Sequence, residues 1–274
     1  MSTQISSPND TVSVDVRDAV CWVTFNRPKS LNAINSELVA ALAHITETLK
    51  DVKDVRAVVM QGEGDHFMAG GDIKKFRSML AETSDQAELN AQFSALLDDV
   101  HNIIFNMRTL PQPILASVRG AVAGAGVSMM LACDLVLAAD DAFFTLAYCH
   151  LGVSPDGGST YHLPRMVGLK RSFEIALLGD RFDAETAERW GLINRVVPVA
   201  DLADETARLA TRLASGPSHA HAHAKRLLNQ SLNTSIETQL GDEITSFADC
   251  TATDDFREGV SAFVAKRPAE FKGS

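Results

Sequence analysis

The feature that most constrains this chain is a regular alternation of short apolar runs with helical patterns. Val12, Val14 and Val16 alternate with polar residues, Arg17-Asp18 can turn the chain, and Cys21, Val23 and Phe25 resume the period of two, which predicts a β-hairpin. Behind Ser36, a candidate helix cap, Leu38, Leu42, Ile45 and Leu49 recur at spacings of three and four, and Ala57-Val58-Val59-Met60 reads as a buried strand. A helix starting near Ser84 carries Phe93, Leu96, Leu97, Val100, Ile103, Ile104 and Met107 until Pro111 and Pro113 stop it, and Ile114 to Val118 is the next strand. The small residues from Gly120 to Gly126 lead into an apolar helix, Val127 to Ala132, and a strand at Leu135 to Leu137. This alternation predicts an α/β fold.

After Pro198 the pattern changes. Leu202, Leu209 and Leu213 share one helical face and no further strand is readable, so a soft boundary falls near 199, with a core over 1–199 and a helical region over 200–274. No low-complexity linker separates them, and the helical region is expected to dock on its own core or on a neighbouring subunit.

Composition removes several classes of function. The length of 274 residues, with 46% hydrophobic and 22% charged, suits one or two globular domains and excludes disordered, collagen-like and coiled-coil chains. A net charge of −10 argues against a nucleic-acid partner. Cys21, Cys133, Cys149 and Cys250 form no CxxC pair, which points to a reducing, cytoplasmic setting and away from zinc fingers. The polar start, Met1 to Asp10, reads as disordered and lacks the basic and apolar segments of a leader peptide. Gly124, Gly126, Ser128 and Asp134 interrupt the longest apolar stretch, so no membrane span is expected.

Two glycine-rich turns can carry chemistry. The first, Gly62 to Lys74, combines small residues with Asp72, and its backbone N–H groups can approach a ligand; a tight loop capped by Asp72 is the plainer reading. The second, Arg119 to Ser128, also opens a helix, and close helix packing would explain it equally well. Together, two such turns can supply the paired N–H groups of an oxyanion hole.

The ordered motifs Asn26-Arg27-Pro28-Lys29-Ser30-Leu31-Asn32-Ala33, the two glycine turns, Cys133-Asp134, Gly152 to Gly158, Glu258-Gly259 and Ala262 to Pro268 resemble the crotonase superfamily, the enoyl-CoA hydratase/isomerase family. The resemblance covers nearly the whole chain. It implies a spiral of ββα repeats, a C-terminal helical trimerisation region, and a homotrimer or homohexamer. It also implies an acyl-CoA thioester substrate, with coenzyme A as part of the substrate and no separate cofactor. The thioester oxygen would lie between the N–H groups of Gly71 and Ala125. Lys29 and Leu31 match the CoA nucleotide segment, Ala69 and Tyr148 fall among the substrate-binding positions, and Phe263 and Lys266 match residues that close over the adenine and phosphate end.

The two glutamates of a hydratase are matched here by Ser128 and Tyr148, neither of which is a carboxylate. Asp156 remains, at a position used by double-bond isomerases and by a member that displaces halide from an aryl thioester. It can serve as an acid/base group or cap the helix opening at Gly157 to Tyr161. His219 and His223 share a helical face, but no carboxylate or cysteine in sequence completes a metal set, so solvent exposure is expected. His150 can enter the acyl pocket or pack, and His162 is a further histidine without an assigned role. The expected activity is an enoyl-CoA isomerase using Asp156. The alternatives are hydration or hydrolysis by the same site, or a catalytically silent CoA-binding protein.

Overall fold

The computed structural model describes residues 5–274. The first four residues of the polar start lie outside it. The rest of that start is not loose: Ile5 is buried, and the Asn9 amide donates to Glu37 O at 2.9 Å. The hairpin forms from β1 (Val12–Arg17) and β2 (Val20–Phe25), but Arg17 pairs with Val20, so the turn is Asp18-Ala19, both left-handed at φ 51° and 60°. Helix α1 (Ser36–Thr48) is capped by Asn35, whose side chain accepts from Leu38 N–H, while Ser36 is already helical. Its Leu38, Leu42 and Ile45 are buried as the spacing predicts.

Strand β3 (Ala57–Gly62) leads through the first glycine turn to α2 (Ile73–Glu82) and α3 (Gln86–Thr109), each capped by an aspartate, Asp72 and Asp85. Then follow β4 (Ile114–Val118), β5 (Ala121–Ala123), α4 (Ala125–Ala132), β6 (Leu135–Ala139), β7 (Phe143–Thr145) and α5 (Ser159–Leu178). The spiral closes with β8 (Phe182–Asp183), α6 (Ala184–Trp190) and β9 (Arg195–Val197). Four helices complete the chain: α7 (Leu202–Ala214), α8 (Ser218–Gln230), α9 (Ile236–Thr251) and α10 (Asp254–Ala265).

Each turn of the spiral gives one strand to a large sheet and one to a small row. The large sheet runs β1-β2-β3-β4-β6-β9, parallel from β2 onward, and the small one β5-β7-β8. The passages β4–β5–α4 and β6–β7–α5 are successive ββα repeats. Both faces of the large sheet are covered over β2, β3, β4 and β6, which is why these strands are nearly continuously apolar, whereas the edge strand β1 alternates. Cys21, Val23, Val58 and Met60 face one core with α1, α3 and α4, whereas Val20, Trp22, Ala57 and Val59 face α7. Helix α7 therefore docks on its own core, with Thr206 Oγ1 2.8 Å from Ser117 Oγ of β4. A buried ion pair, Lys225 to Asp134 at 2.8 Å, pins α8 beside it, and Lys225 also donates to Met107 O and Gln112 O. All four cysteines are free, and no helix among the described residues is long and apolar enough to cross a membrane.

Candidate active site

The first glycine turn is laid against the second by a bridge between Met68 and Val122 of β5: Met68 N–H donates to Ala121 O at 3.1 Å and Ala123 N–H to Met68 O at 2.9 Å. The approach is close enough to demand glycine. A Cβ on Gly70, at φ +86°, would stand 2.9 Å from Ala123 O and 3.6 Å from Ala125 N. Gly124, at φ 50° and ψ −120°, then turns the chain into α4, so Ala125 is the first helical residue and its N–H has no partner one turn back. Neither Gly71 N–H nor Ala125 N–H has an acceptor among the described residues. Two free backbone donors on adjoining turns are what a carbonyl oxygen gaining negative charge needs.

Asn32 holds the first turn in place, a role with no local signal in the sequence. It is fully buried at φ 56°, its amide donates to Glu63 O (3.1 Å) and His66 O (2.7 Å), and its carbonyl oxygen accepts from Arg27 N–H. Ala69 N–H donates to Leu31 O and Ile34 N–H to Gly70 O. Arg27 reaches Asp72 at 2.9 Å. Burial pulls the Asp72 carboxyl up, but the Arg27 guanidinium and the Lys75 and Lys74 amides outweigh it and hold it below the usual carboxylate range. Exposed Lys29 and half-exposed Leu31 thus sit on a loop tied to the Ala69–Gly71 turn, so these expected positions come together.

Asp156 lies on the loop before α5. Ser128, one turn of α4 beyond Ala125, donates from Oγ to Asp156 O at 2.9 Å, which places this loop roughly 5 Å along the helix from the second donor. Gly157 permits the contact, since a Cβ there would meet Ser128 Cβ at 2.7 Å. The capping role does not hold: α5 begins at Ser159 behind Gly158, with no side-chain cap, and the Asp156 carboxylate instead accepts from Tyr148 Oη at 2.6 Å. Burial raises the Asp156 carboxyl above the usual range, against the Tyr148 hydrogen bond and nearby His101, which pull it down. Burial first, then the Asp156 charge, push the Tyr148 hydroxyl well up, so it stays a donor.

His101 was missed in the sequence. It is exposed on α3, where helical periodicity marks only apolar positions, and its Nε2 accepts from Gly157 N–H at 3.4 Å.

The Enoyl-CoA hydratase/isomerase family model matches residues 15–274. This chain belongs to that family. It is 34% identical over 258 residues to the 1,2-epoxyphenylacetyl-CoA isomerase of Escherichia coli K12, covering 94% of this chain and 97% of the relative. It is 28% identical to 4-chlorobenzoyl coenzyme A dehalogenase-2 of an Arthrobacter species, covering 95% and 93%. The crystal structure of an enoyl-CoA hydratase from Polaromonas sp. JS666 superposes with a TM-score of 0.88 at 32% identity, covering 95% of this chain and 99% of that one. The parallel sheet and flanking helices are accordingly the crotonase fold of this family.

Not every expected residue joins the site within one chain. Phe263, 85% exposed, and Lys266, left-handed at φ 49°, lie at the end of α10. That helix is tied through Gly259 and Phe271 to Arg56, which bonds Phe271 O and Ser218 at the entry of β3. The first glycine turn leaves the exit of β3, and a six-residue strand is roughly 20 Å long. His150 is exposed, with Nε2 3.1 Å from Gly179 O. His162 is buried and pushed down to about 4 by burial, with Arg108 and Arg165 adding to it. His219 is exposed as expected, but His223 is only 18% exposed, and Asp249 does approach it, at 3.9 Å. No group of three His, Cys, Asp or Glu among the described residues could hold a metal ion.

Proposed function

We infer that this protein is an enoyl-CoA isomerase that moves a double bond by carrying one proton on Asp156. The observation that supports this most is a half-buried carboxylate on a loop joined to α4 one turn beyond the free Ala125 donor, with Ser128 and Tyr148 standing where a hydratase has glutamates. Asp156 takes the proton from the α-carbon of a 3-enoyl thioester, and the electron pair passes into the carbonyl. The resulting enolate oxygen is held by Gly71 and Ala125 N–H, and Asp156 returns the proton to the γ-carbon. Tyr148 occupies Oδ1 and leaves Oδ2 for transfer. Coenzyme A arrives with the substrate, so the reaction needs no resident cofactor, and the free thiols suit a reducing, cytoplasmic compartment.

The test is turnover of 2-enoyl- and 3-enoyl-CoA thioesters, followed by product identification. Conversion of 3-enoyl to 2-enoyl thioester without added water supports the reading, and a 3-hydroxyacyl product overturns it. Because the base form is required and burial raises the Asp156 pKa, kcat/KM should begin to fall, on acidification, at a higher pH than an ordinary surface carboxylate would give.

His101 favours a second reading. A histidine beside the Asp156 loop can activate water, so Asp156 could add to an activated aryl ring, expel halide, and be freed by hydrolysis of the aryl ester. Halide release from 4-chlorobenzoyl-CoA separates this outcome from isomerisation.

The assembly reading is a trimer or hexamer. Leu228, Leu232, Ile236, Ile244 and Phe247 leave an apolar surface on α8, α9 and the turn between them. Phe263 and Lys266, remote from Lys29 in their own chain, would then serve the CoA site of a neighbouring protomer. Light scattering at micromolar concentration should give a trimeric or hexameric mass, and a monomeric mass overturns this assembly.

A further inference from the structure

We propose that the acyl group taken by this site is aromatic, gripped by Phe76 and Phe93 beside the Gly71 donor. The proposal rests on the acyl-CoA reading above and adds the class of acyl group. It starts from the missing side chain at Gly71: a Cβ there would lie 2.6 Å from Phe76 Cζ and 2.9 Å from Cε2. The Phe76 ring, brought back from the first turn of α2, therefore fills the space into which residue 71 would project. It stands against the very residue whose N–H is free.

Phe93 of α3 meets Phe76 edge to face, with ring centroids 5.3 Å apart and an interplanar angle of 78°. Both rings stay only half-buried, as do Leu96 and Leu97 beside them. Phe25, Phe67 and Phe144 of the core are by contrast fully buried, and Phe105, Phe173, Phe247, Phe256 and Phe263 are exposed but border no free backbone donor of the glycine turns. An aromatic pair with uncovered faces next to an unpaired backbone donor is an apolar subsite open to a ligand.

Helix α3 then runs along the site as one wall. His101 is eight residues, about 12 Å, beyond Phe93, and Ile104 Cγ2 lies 3.7 Å from where a Cβ on Gly158 would be. The wall is aromatic at the donor end and ends at the Asp156 loop, where the Tyr148 ring stands. An aliphatic chain laid against such rings gains only from area removed from water. An aromatic acyl group gains in addition from edge-to-face and offset contacts, which favour it by roughly threefold to tenfold per ring pair.

Isothermal titration with phenylacetyl-CoA, cyclohexylacetyl-CoA, octanoyl-CoA and coenzyme A alone tests this at constant acyl carbon number. The wild-type protein should bind phenylacetyl-CoA about tenfold more tightly than either aliphatic thioester. Phe93→Leu and Phe76→Leu, which keep apolar bulk, should each cut that preference to about threefold or less while affinity for coenzyme A alone is unchanged. Equal affinity for the aromatic and aliphatic thioesters, or a preference that survives in both variants, overturns the proposal and leaves the acyl-CoA reading standing. If no thioester binds, the acyl-CoA reading itself fails and the proposal falls with it.

Discussion

Asp156→Asn is expected to lower kcat by roughly 10²–10⁴-fold, the range for removing a general acid/base, with acyl-CoA affinity kept within a few-fold. The scaffold should survive, because an Asn Oδ1 can still accept the Tyr148 hydroxyl, and the bonds from Ser128 and Ser159 end on the backbone carbonyl of Asp156. Linkage sharpens the expectation. Burial raises the folded-state pKa of Asp156, so its favourable contribution is present below the ordinary carboxylate value and is lost as pH rises through the raised one. At neutral pH the wild-type protein therefore carries an ionised carboxylate in a partly buried place, and the Asn variant does not. Thermal unfolding across pH should show the variant at least as stable as wild type near pH 7, with the gap closing in acid. Single-turnover rates and exchange of the α-proton with D₂O complete the test. Turnover and exchange that persist in the variant would place the base elsewhere.

Ala125→Pro should cost roughly 10²–10³-fold in kcat, the scale for losing one oxyanion donor, with little change in Tm. Position 125 allows this unusually clean deletion. It is the first residue of α4, where proline is favoured, and its N–H has no acceptor within the described residues. Gly124 before it is at φ 50° and ψ −120°, outside the right-handed helical region that proline disfavours in its predecessor. Ala125→Gly, which retains the N–H, should keep most of the rate. Stopped-flow kinetics with circular dichroism melts would separate a lost donor from a damaged helix, and an unaltered rate in Ala125→Pro would remove Ala125 from the oxyanion hole.

Much of this architecture is local in origin and could be read in one dimension. The hairpin, the buried face of α1 and strands β3, β4 and β6 follow from apolar periodicity, and both glycine turns from their small residues. Asp156 stood out because no other carboxylate occupied a position the family uses. Where local signals were degenerate, the structure chose. Asn35 and Ser36 can both cap a helix, and Asn35 does so because it holds the extended backbone at φ −126° and ψ 173°. Strands β5, β7 and β8 have three, three and two residues, too short for any period to show, and they exist because neighbouring turns of the spiral supply their partners. The roles of Asn32 and His101, and the direction of the Phe76 ring, have no local signal for a related reason. Asn32 acts on residue 66, and His101 on residue 157, across 34 and 56 positions of sequence. Phe76 matters because Gly71 has no side chain to occupy the same space. Sequence by itself determined most of the repeating elements and the two turns, since each depends on residues within a few positions of one another, and the family resemblance marked Asp156. Only the tertiary structure decided which donors remain free, which rings border them and which ends of the chain meet, because those depend on packing between segments far apart in sequence.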